Sequence, residues 1–153
     1  MWKDKINWCH DDFNIKGFFD EYRFLCNFHL CPVKFEGVIY PSSENAYMAS
    51  KSINPDVRKQ FETVGPKLAK QLGRLIELRQ DFNLVKNELM TTILRDKFTR
   101  NGDLKKLLLN TGNRYLEETN WWDDIYWGVC NDEGFNTLGK VLMDLRTEFQ
   151  KEN

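Results

Sequence analysis

The chain reads as an α+β domain, mainly helical, with a few short strands. Two long apolar periodicities and one short paired run predict this. In residues 136–152, Leu138, Val141, Leu142, Leu145 and Phe149 recur at three- and four-residue spacing, the repeat of a helix with one buried face. Residues 83–101 carry a second such stripe, Leu84, Val85, Leu89, Ile93, Leu94 and Phe98. Val33-Lys34-Phe35 and Val38-Ile39-Tyr40, separated by Glu36-Gly37, read as a two-stranded hairpin. At 153 residues the chain is expected to form one domain, and a chain of that size buries roughly 70 per cent of its unfolded surface.

Taken in order, residues 1–17 are polar with scattered aromatics and no period, which predicts an irregular segment, a loop or a short strand. Phe24, Leu25 and Phe28 are expected in the core. Asn27 lies among them, and its amide needs partners, either backbone groups of a turn or a ligand. The hairpin, with Gly37 supplying the positive φ of its turn, leads into residues 40–52, Tyr-Pro-Ser-Ser-Glu-Asn-Ala-Tyr-Met-Ala-Ser-Lys-Ser. Pro41 is expected to end the strand, and Ser42 or Ser43 to cap a helix with Glu44 in its first turn. Near the positive end of the helix dipole, the ionised carboxylate is favoured by about 0.3–1 kcal/mol. At 3.6 residues per turn Glu44, Tyr47 or Met48, and Lys51 share a face, with Glu44 and Lys51 about 10 Å apart along the axis. That gap suits a small polar ligand, although a Ser-Ser-Glu start and a Tyr47/Lys51 pair also make an ordinary helix.

Further on, residues 53–61 predict a short helix with Asn54 as cap and Pro55 in its first position. Val64-Gly65-Pro66 interrupts it, and a third helix over 66–72 stops at Gly73. Arg74, just past that end, is free to bond its own helix's last carbonyls or to hold a phosphate in two-point fashion. The long helix begins near Asp81 or Asn83 and ends at Gly102; another covers 103–109 and closes at Thr111-Gly112. Residues 115–119 predict a strand that enters the aromatic run 120–128, in which Trp121, Trp122, Tyr126 and Trp127 line either the core or a pocket for a flat ring. Asn136 is placed to cap the last helix, whose N-terminus follows Gly134 and offers N–H groups to an anion.

Composition narrows the function. A formal charge of −1 gives no global field toward nucleic acid or membrane. No apolar run reaches the roughly 18 residues of a membrane span, and the first residues lack a signal peptide's apolar centre, so a cytoplasmic location is expected. Cys9, Cys26, Cys31 and Cys130 fit reduced thiols. Cys9-His10 and Cys26-x2-His29-x-Cys31 lack the paired spacing of structural zinc sites, and no metal is expected.

The 40–52 segment resembles the Tyr/Trp-Pro-Thr-Ser/Val-Glu-His-aromatic-aromatic-Gln-Ala-x-Lys pattern of the NADAR family, which includes the YbiA-like N-glycosidases. Other pieces follow in the family's order: Phe24-Leu25-Cys26-Asn27-Phe28, Leu72-Gly73-Arg74, Met90 with Lys97-Phe98, Leu107-Leu108-Leu109-x-Thr111, Tyr126-Trp127-Gly128, Gly134-x-Asn136-x-Leu138-Gly139 and Leu142-Met143-x-Leu145-Arg146. The likeness runs from about residue 18 to 149.

The resemblance implies hydrolysis of the bond between ribose C1′ and a nitrogen, without a cofactor. Implied substrates are an ADP-ribose or NAD-type compound, an ADP-ribosylated guanine, or a ribosylaminopyrimidine phosphate of the riboflavin pathway; nucleic acid enters only as such a ribosylated substrate. The sugar becomes cationic in the transition state and needs a fixed carboxylate. Glu44 is that group by resemblance, with Glu117 or Asp124 as the second carboxylate. Asn27, Tyr47, Lys51, Arg74, Trp127 and Asn136 are expected to contact substrate, with Lys51 keeping Glu44 ionised. The chain departs from the pattern at Asn45, where relatives carry His, at Phe82, where they carry Trp, and in residues 127–134, which have fewer glycines. A non-catalytic nucleotide binder is the alternative; it needs Arg74, Lys51 and Trp127 but not Glu44.

Overall fold

The structure, a computed structural model, describes residues 1–152. A short 3-10 turn at Trp2–Lys5 precedes β1 (Cys9–His10) and β2 (Asn14–Lys16). A second 3-10 turn, Asp20–Leu25, leads to β3 (Leu30–Phe35), β4 (Val38–Ser42), α1 (Ser43–Ser50), α2 (Pro55–Lys59) and α3 (Pro66–Gly73). Then come α4 (Phe82–Arg100), α5 (Gly102–Asn110), β5 (Tyr115–Glu117), β6 (Thr119–Asn120), β7 (Val129–Cys130) and α6 (Thr137–Lys151). The class is the expected α+β with helix predominant. No helix among the described residues is long and apolar enough to cross a membrane. The chain packs as two compact units, Asn27–Lys105 and the remainder, Met1–Cys26 with the chain from Lys106 onward.

In the Asn27–Lys105 unit, β3 and β4 pair antiparallel, with Val33 opposite Tyr40 and Phe35 opposite Val38. Glu36 (φ 45°) and Gly37 (φ 87°) both take the left-handed conformation, the two-residue turn whose twist matches the strands. β4 runs on through Pro41 instead of stopping there. The register between Leu30 and Val33 is broken by a bulge opposite it, so the missing N–H of Pro41 disrupts no regular ladder.

All eight residues of α1 are buried. The helix packs against β3, β4, α2, α3 and α4, and Gly73 lets α3 approach where a Cβ would overlap the Met48 sulfur. α2 and α3 match expectation, with the Asn54 side chain accepting from Asp56 N at 2.9 Å and Pro66 opening α3.

α4 buries Ile93, Leu94 and Phe98 of the expected stripe and half-buries Val85 and Leu89, and it departs from expectation at Leu84. Phe82, Met90, Ile93, Leu94, Lys97 and Phe98 are buried, whereas Leu84 is 89% exposed. Phe82 anchors the inner face, and Leu84 lies about 200° round the helix from it. The break after α4 falls at Asn101, whose side chain donates to Lys97 O (2.8 Å) and Pro32 O (2.9 Å), while Gly102 opens α5 instead of closing α4. Phe28 is half-buried, with the Lys70 ammonium 5.7 Å from its ring centre.

Tyr40 is 1% exposed, and its hydroxyl is enclosed without a partner. Burial pushes its pKa up, only partly offset by the Arg58 charge. An enclosed unbonded hydroxyl costs about 1–3 kcal/mol. Tyr40→Phe is therefore expected to leave stability unchanged or raise it by about 1 kcal/mol, read as a shift in the urea midpoint; a clear loss would show that the hydroxyl is bonded in solution.

In the other unit, β1 pairs antiparallel with β2, and β2 pairs parallel with β5, placing fully buried Ile15 beside fully buried Leu116. Residues 1–17 are thus more ordered than their lack of period implied, since strands this short bury too few residues to show one. The expected 115–119 strand divides at Glu118 into β5 and β6, and β6 pairs parallel with β7. α6 packs its predicted stripe on β5. The aromatic run is not uniformly enclosed: Trp121 and Trp122 are each 43% exposed, with their rings edge-to-face at 4.8 Å.

Candidate active site

The site is built at the start of α1. Ser42 is the cap, its Oγ accepting from Asn45 N at 3.1 Å. Asn45 is fully buried; its Oδ1 accepts from Ser42 Oγ, and its Nδ2 donates to Phe61 O and Val64 O, both at 2.8 Å. This departure from the family pattern thus bears on the connection between α2 and α3. Ser43, the other expected cap, turns toward Asn27 and donates from Oγ to its Oδ1 at 2.9 Å. The backbone N–H of Glu44 donates to Asn27 O at 3.0 Å. Asn27 is therefore both turn-holder and neighbour of the carboxylate, and its Nδ2 donates to the Met90 sulfur, at 3.7 Å.

Glu44 is 7% exposed, in the first turn of α1. Lys51 follows at the far end of the helix on the same face, half-buried. Burial pushes the Lys51 pKa down, Glu44 pulls it back up, and Arg74 and Lys70 lower it further. One carboxylate and three cations thus share a field, an excess of positive charge suited to an anionic ligand. The Lys51 ammonium is 5.8 Å from the ring centres of both Tyr47 and Phe82, whose own centres are 5.9 Å apart at 46°. Phe82 keeps a flat apolar wall where relatives carry Trp.

Arg74 is exposed at the C-terminus of α3, its backbone N–H donating to Gln71 O at 3.3 Å. Lys70, one turn earlier, was not singled out in the sequence; counting back four residues from Arg74 along a helix finds it. A cavity of about 510 Å³, lined by residues that include His29, Cys31, Arg100 and Asp103, contains none of the expected site residues.

The other four expected residues lie in the second unit. Glu117 is buried and accepts from Thr119 Oγ1 at 2.6 Å. Asp124 is half-buried, and its Oδ1 accepts from Trp127 N at 2.9 Å, locking the loop. Of the two carboxylates, Glu117 is the less committed to backbone. Glu118, next to it, is also buried, and no pattern in residues 115–119 distinguishes the two. Trp127 is half-buried, its ring edge-to-face with Tyr126 at 5.0 Å.

Asn136 stands at the expected N-cap position of α6, but it takes a left-handed conformation (φ 52°) and its side chain makes no capping hydrogen bond. Its Nδ2 donates to Leu116 O (2.9 Å) and Tyr115 Oη (3.1 Å), and its Oδ1 accepts from Glu118 N (3.0 Å). The anion seat expected at the N-terminus of α6 is filled by the chain itself, because Asn136, Thr137 and Leu138 donate their N–H groups to the carbonyls of Gly128, Tyr126 and Trp127. Among the described residues no three His, Cys, Asp or Glu side chains are grouped to hold a metal ion.

Compared with known proteins, residues 10–150 match the model of the NADAR domain. The chain is 35% identical over 133 residues to N-glycosidase YbiA of Escherichia coli (strain K12), covering 84% of this chain and 82% of that one. It is 36% identical over 138 residues to a riboflavin biosynthesis protein of Vibrio vulnificus, 86% of this chain and 37% of that longer one. The NMR structure of E. coli YbiA superposes with a TM-score of 0.81 at 32% identity, covering 95% of this chain and 89% of that one.

Proposed function

The chain belongs to the NADAR domain family and is an N-glycosidase, and we propose that it hydrolyses the C1′–N bond of a phosphorylated ribosyl substrate with Glu44 as the carboxylate facing the sugar. The carrying observation is a single buried carboxylate, Glu44, in a field with Lys51, Lys70 and Arg74. The cations attract a phosphate. The carboxylate is then the one negative group in the cluster to face an anionic substrate's electron-poor carbon.

As the C1′–N bond stretches, the ring oxygen shares positive charge with C1′, and a fixed anion stabilises that state more than the neutral sugar. Glu44 also takes a proton from the attacking water, whose oxygen bonds C1′ while the nitrogen departs with the bond pair and takes a proton from solvent water; Glu44 then returns its proton to solvent, so one water is consumed in all. General-base help of this kind contributes about 10²–10⁴-fold. Asn27 holds the Glu44 backbone through its carbonyl, and its carboxamide donor is assigned to the substrate. Tyr47 and Phe82 supply the flat wall against which base or sugar rests.

The substrate class is an ADP-ribose derivative, an ADP-ribosylated guanine, or a ribosylaminopyrimidine phosphate, encountered in the cytoplasm. The riboflavin-related name of the Vibrio relative supports the last of these. Incubation with a panel of these compounds and mass detection of the released base separates them. Binding without release from any member would instead favour a nucleotide-sequestering protein.

Arg74→Ala is expected to weaken binding of a phosphorylated ligand roughly tenfold and that of its dephosphorylated form hardly at all, measured by titration calorimetry. Equal losses for both would make Arg74 a structural residue.

A further inference from the structure

We propose that Arg114 and Arg146 form an oxyanion-binding site in the unit that carries neither Glu44 nor Lys51, taking a phosphate-sized anion, either free phosphate or the phosphoryl group of a small metabolite. Arg146 belongs to the Leu-Met-x-Leu-Arg segment of α6, to which the reaction above gives no task. The residue is 6% exposed, and among the described residues its guanidinium makes one hydrogen bond, from Nη1 to Thr111 Oγ1 at 2.9 Å. A guanidinium offers five N–H donors. The enclosed, unbonded side-chain polar atom among the described residues is the Tyr40 hydroxyl. The remaining Arg146 nitrogens are not among the fully enclosed, unbonded atoms, so they retain some solvent contact although the residue as a whole is buried.

Among the described residues no carboxylate is paired with this charge. The ionised neighbour that Arg146 feels is a second cation, Arg114, and its pKa is pushed down first by burial and then by that arginine. Arg114 is itself matched only with neutral groups: its Nε donates to Thr111 O (3.0 Å), Nη2 to Asn110 O (3.2 Å) and Nη1 to Tyr22 Oη (2.9 Å). Two guanidinium groups thus converge on Thr111. A charge buried without an opposite partner is strongly unfavourable, and an oxyanion accepting the unused N–H groups of Arg146 removes that penalty with charge-assisted bonds. Phosphate matches this planar fork better than chloride does.

The test is phosphate binding by calorimetry and thermal unfolding at matched ionic strength against chloride, using full-length protein carrying Arg74→Ala so that the α3 cations contribute least. Inorganic phosphate, ribose 5-phosphate and ribose are the probes. Phosphate is expected to raise Tm. Arg146→Met is expected to remove that rise, to weaken phosphate roughly tenfold or more, and to be at least as stable as its parent in chloride. Ribose 5-phosphate binding as tightly as phosphate identifies a phosphoryl group as acceptable, its exclusion points to the free ion, and ribose is expected to be inert. An unchanged phosphate response in Arg146→Met overturns the proposal. Loss of stability in chloride does so as well, by making Arg146 a structural donor to Thr111. If Arg146→Met does not fold, Arg114→Gln decides: retention of full phosphate affinity there ends the idea.

Discussion

Replacing Glu44 by Gln is expected to lower turnover at least about a hundredfold while leaving the fold and nucleotide affinity at neutral pH nearly unchanged. The amide keeps the shape of the side chain, and the backbone bond from residue 44 to Asn27 O does not depend on the carboxylate. What disappears is the anion opposite the developing charge and the acceptor for water's proton. A second effect identifies the cause. Glu44 raises the Lys51 pKa against burial, Arg74 and Lys70, so in the variant Lys51 loses its proton at a lower pH. Binding of a phosphorylated ligand should then decline earlier on the alkaline side than in the parent. Equal turnover in the two proteins would remove Glu44 from the chemistry.

The largest stability effect is expected from Gly139→Ala. Gly139 lies in the first turn of α6, where an added Cβ would overlap the Leu116 carbonyl oxygen and the Asn136 carboxamide. Neither neighbour yields easily. Leu116 is the fully buried residue of β5, and its carbonyl accepts from Asn136 Nδ2 at 2.9 Å. The same carboxamide accepts from Glu118 N. The methyl group therefore forces α6 away from the three-stranded sheet and loosens the ties at Asn136. A loss of about 3 kcal/mol or more, at the upper end of overpacking effects, lowers Tm by roughly 6–12 °C in a domain of this size. A shift under 2 °C would mean that the helix start adapts without strain.

Much of this architecture was legible beforehand, for physical reasons that differ by element. The Glu36-Gly37 turn, the Asn54-Pro55 start and the α6 stripe are local: each depends on a backbone preference or a period contained within a few residues. In α4 the C-terminal part of the stripe, Ile93, Leu94 and Phe98, is local in the same way, and only Leu84 departs, because the burial of Phe82 turns it outward. α1 is enclosed all round, and an enclosed helix has no polar face to report its orientation.

The site followed the same division. Glu44 and Lys51 were visible as helix spacing. Lys70 was not, because its field reaches Lys51 from another element. Asn136 looked like a cap from its place before the helix, yet its side chain turns to β5. The bond from Trp127 N to Asp124 had no signal in the sequence, because it closes a loop.

The enclosure of α1 has a kinetic corollary. A helix with solvent on one side can fray turn by turn, whereas one surrounded by β3, β4, α2, α3 and α4 exchanges its amide protons only when its neighbours separate. The Glu44 carboxylate at its head is consequently expected to keep its place as long as the unit around it stays folded.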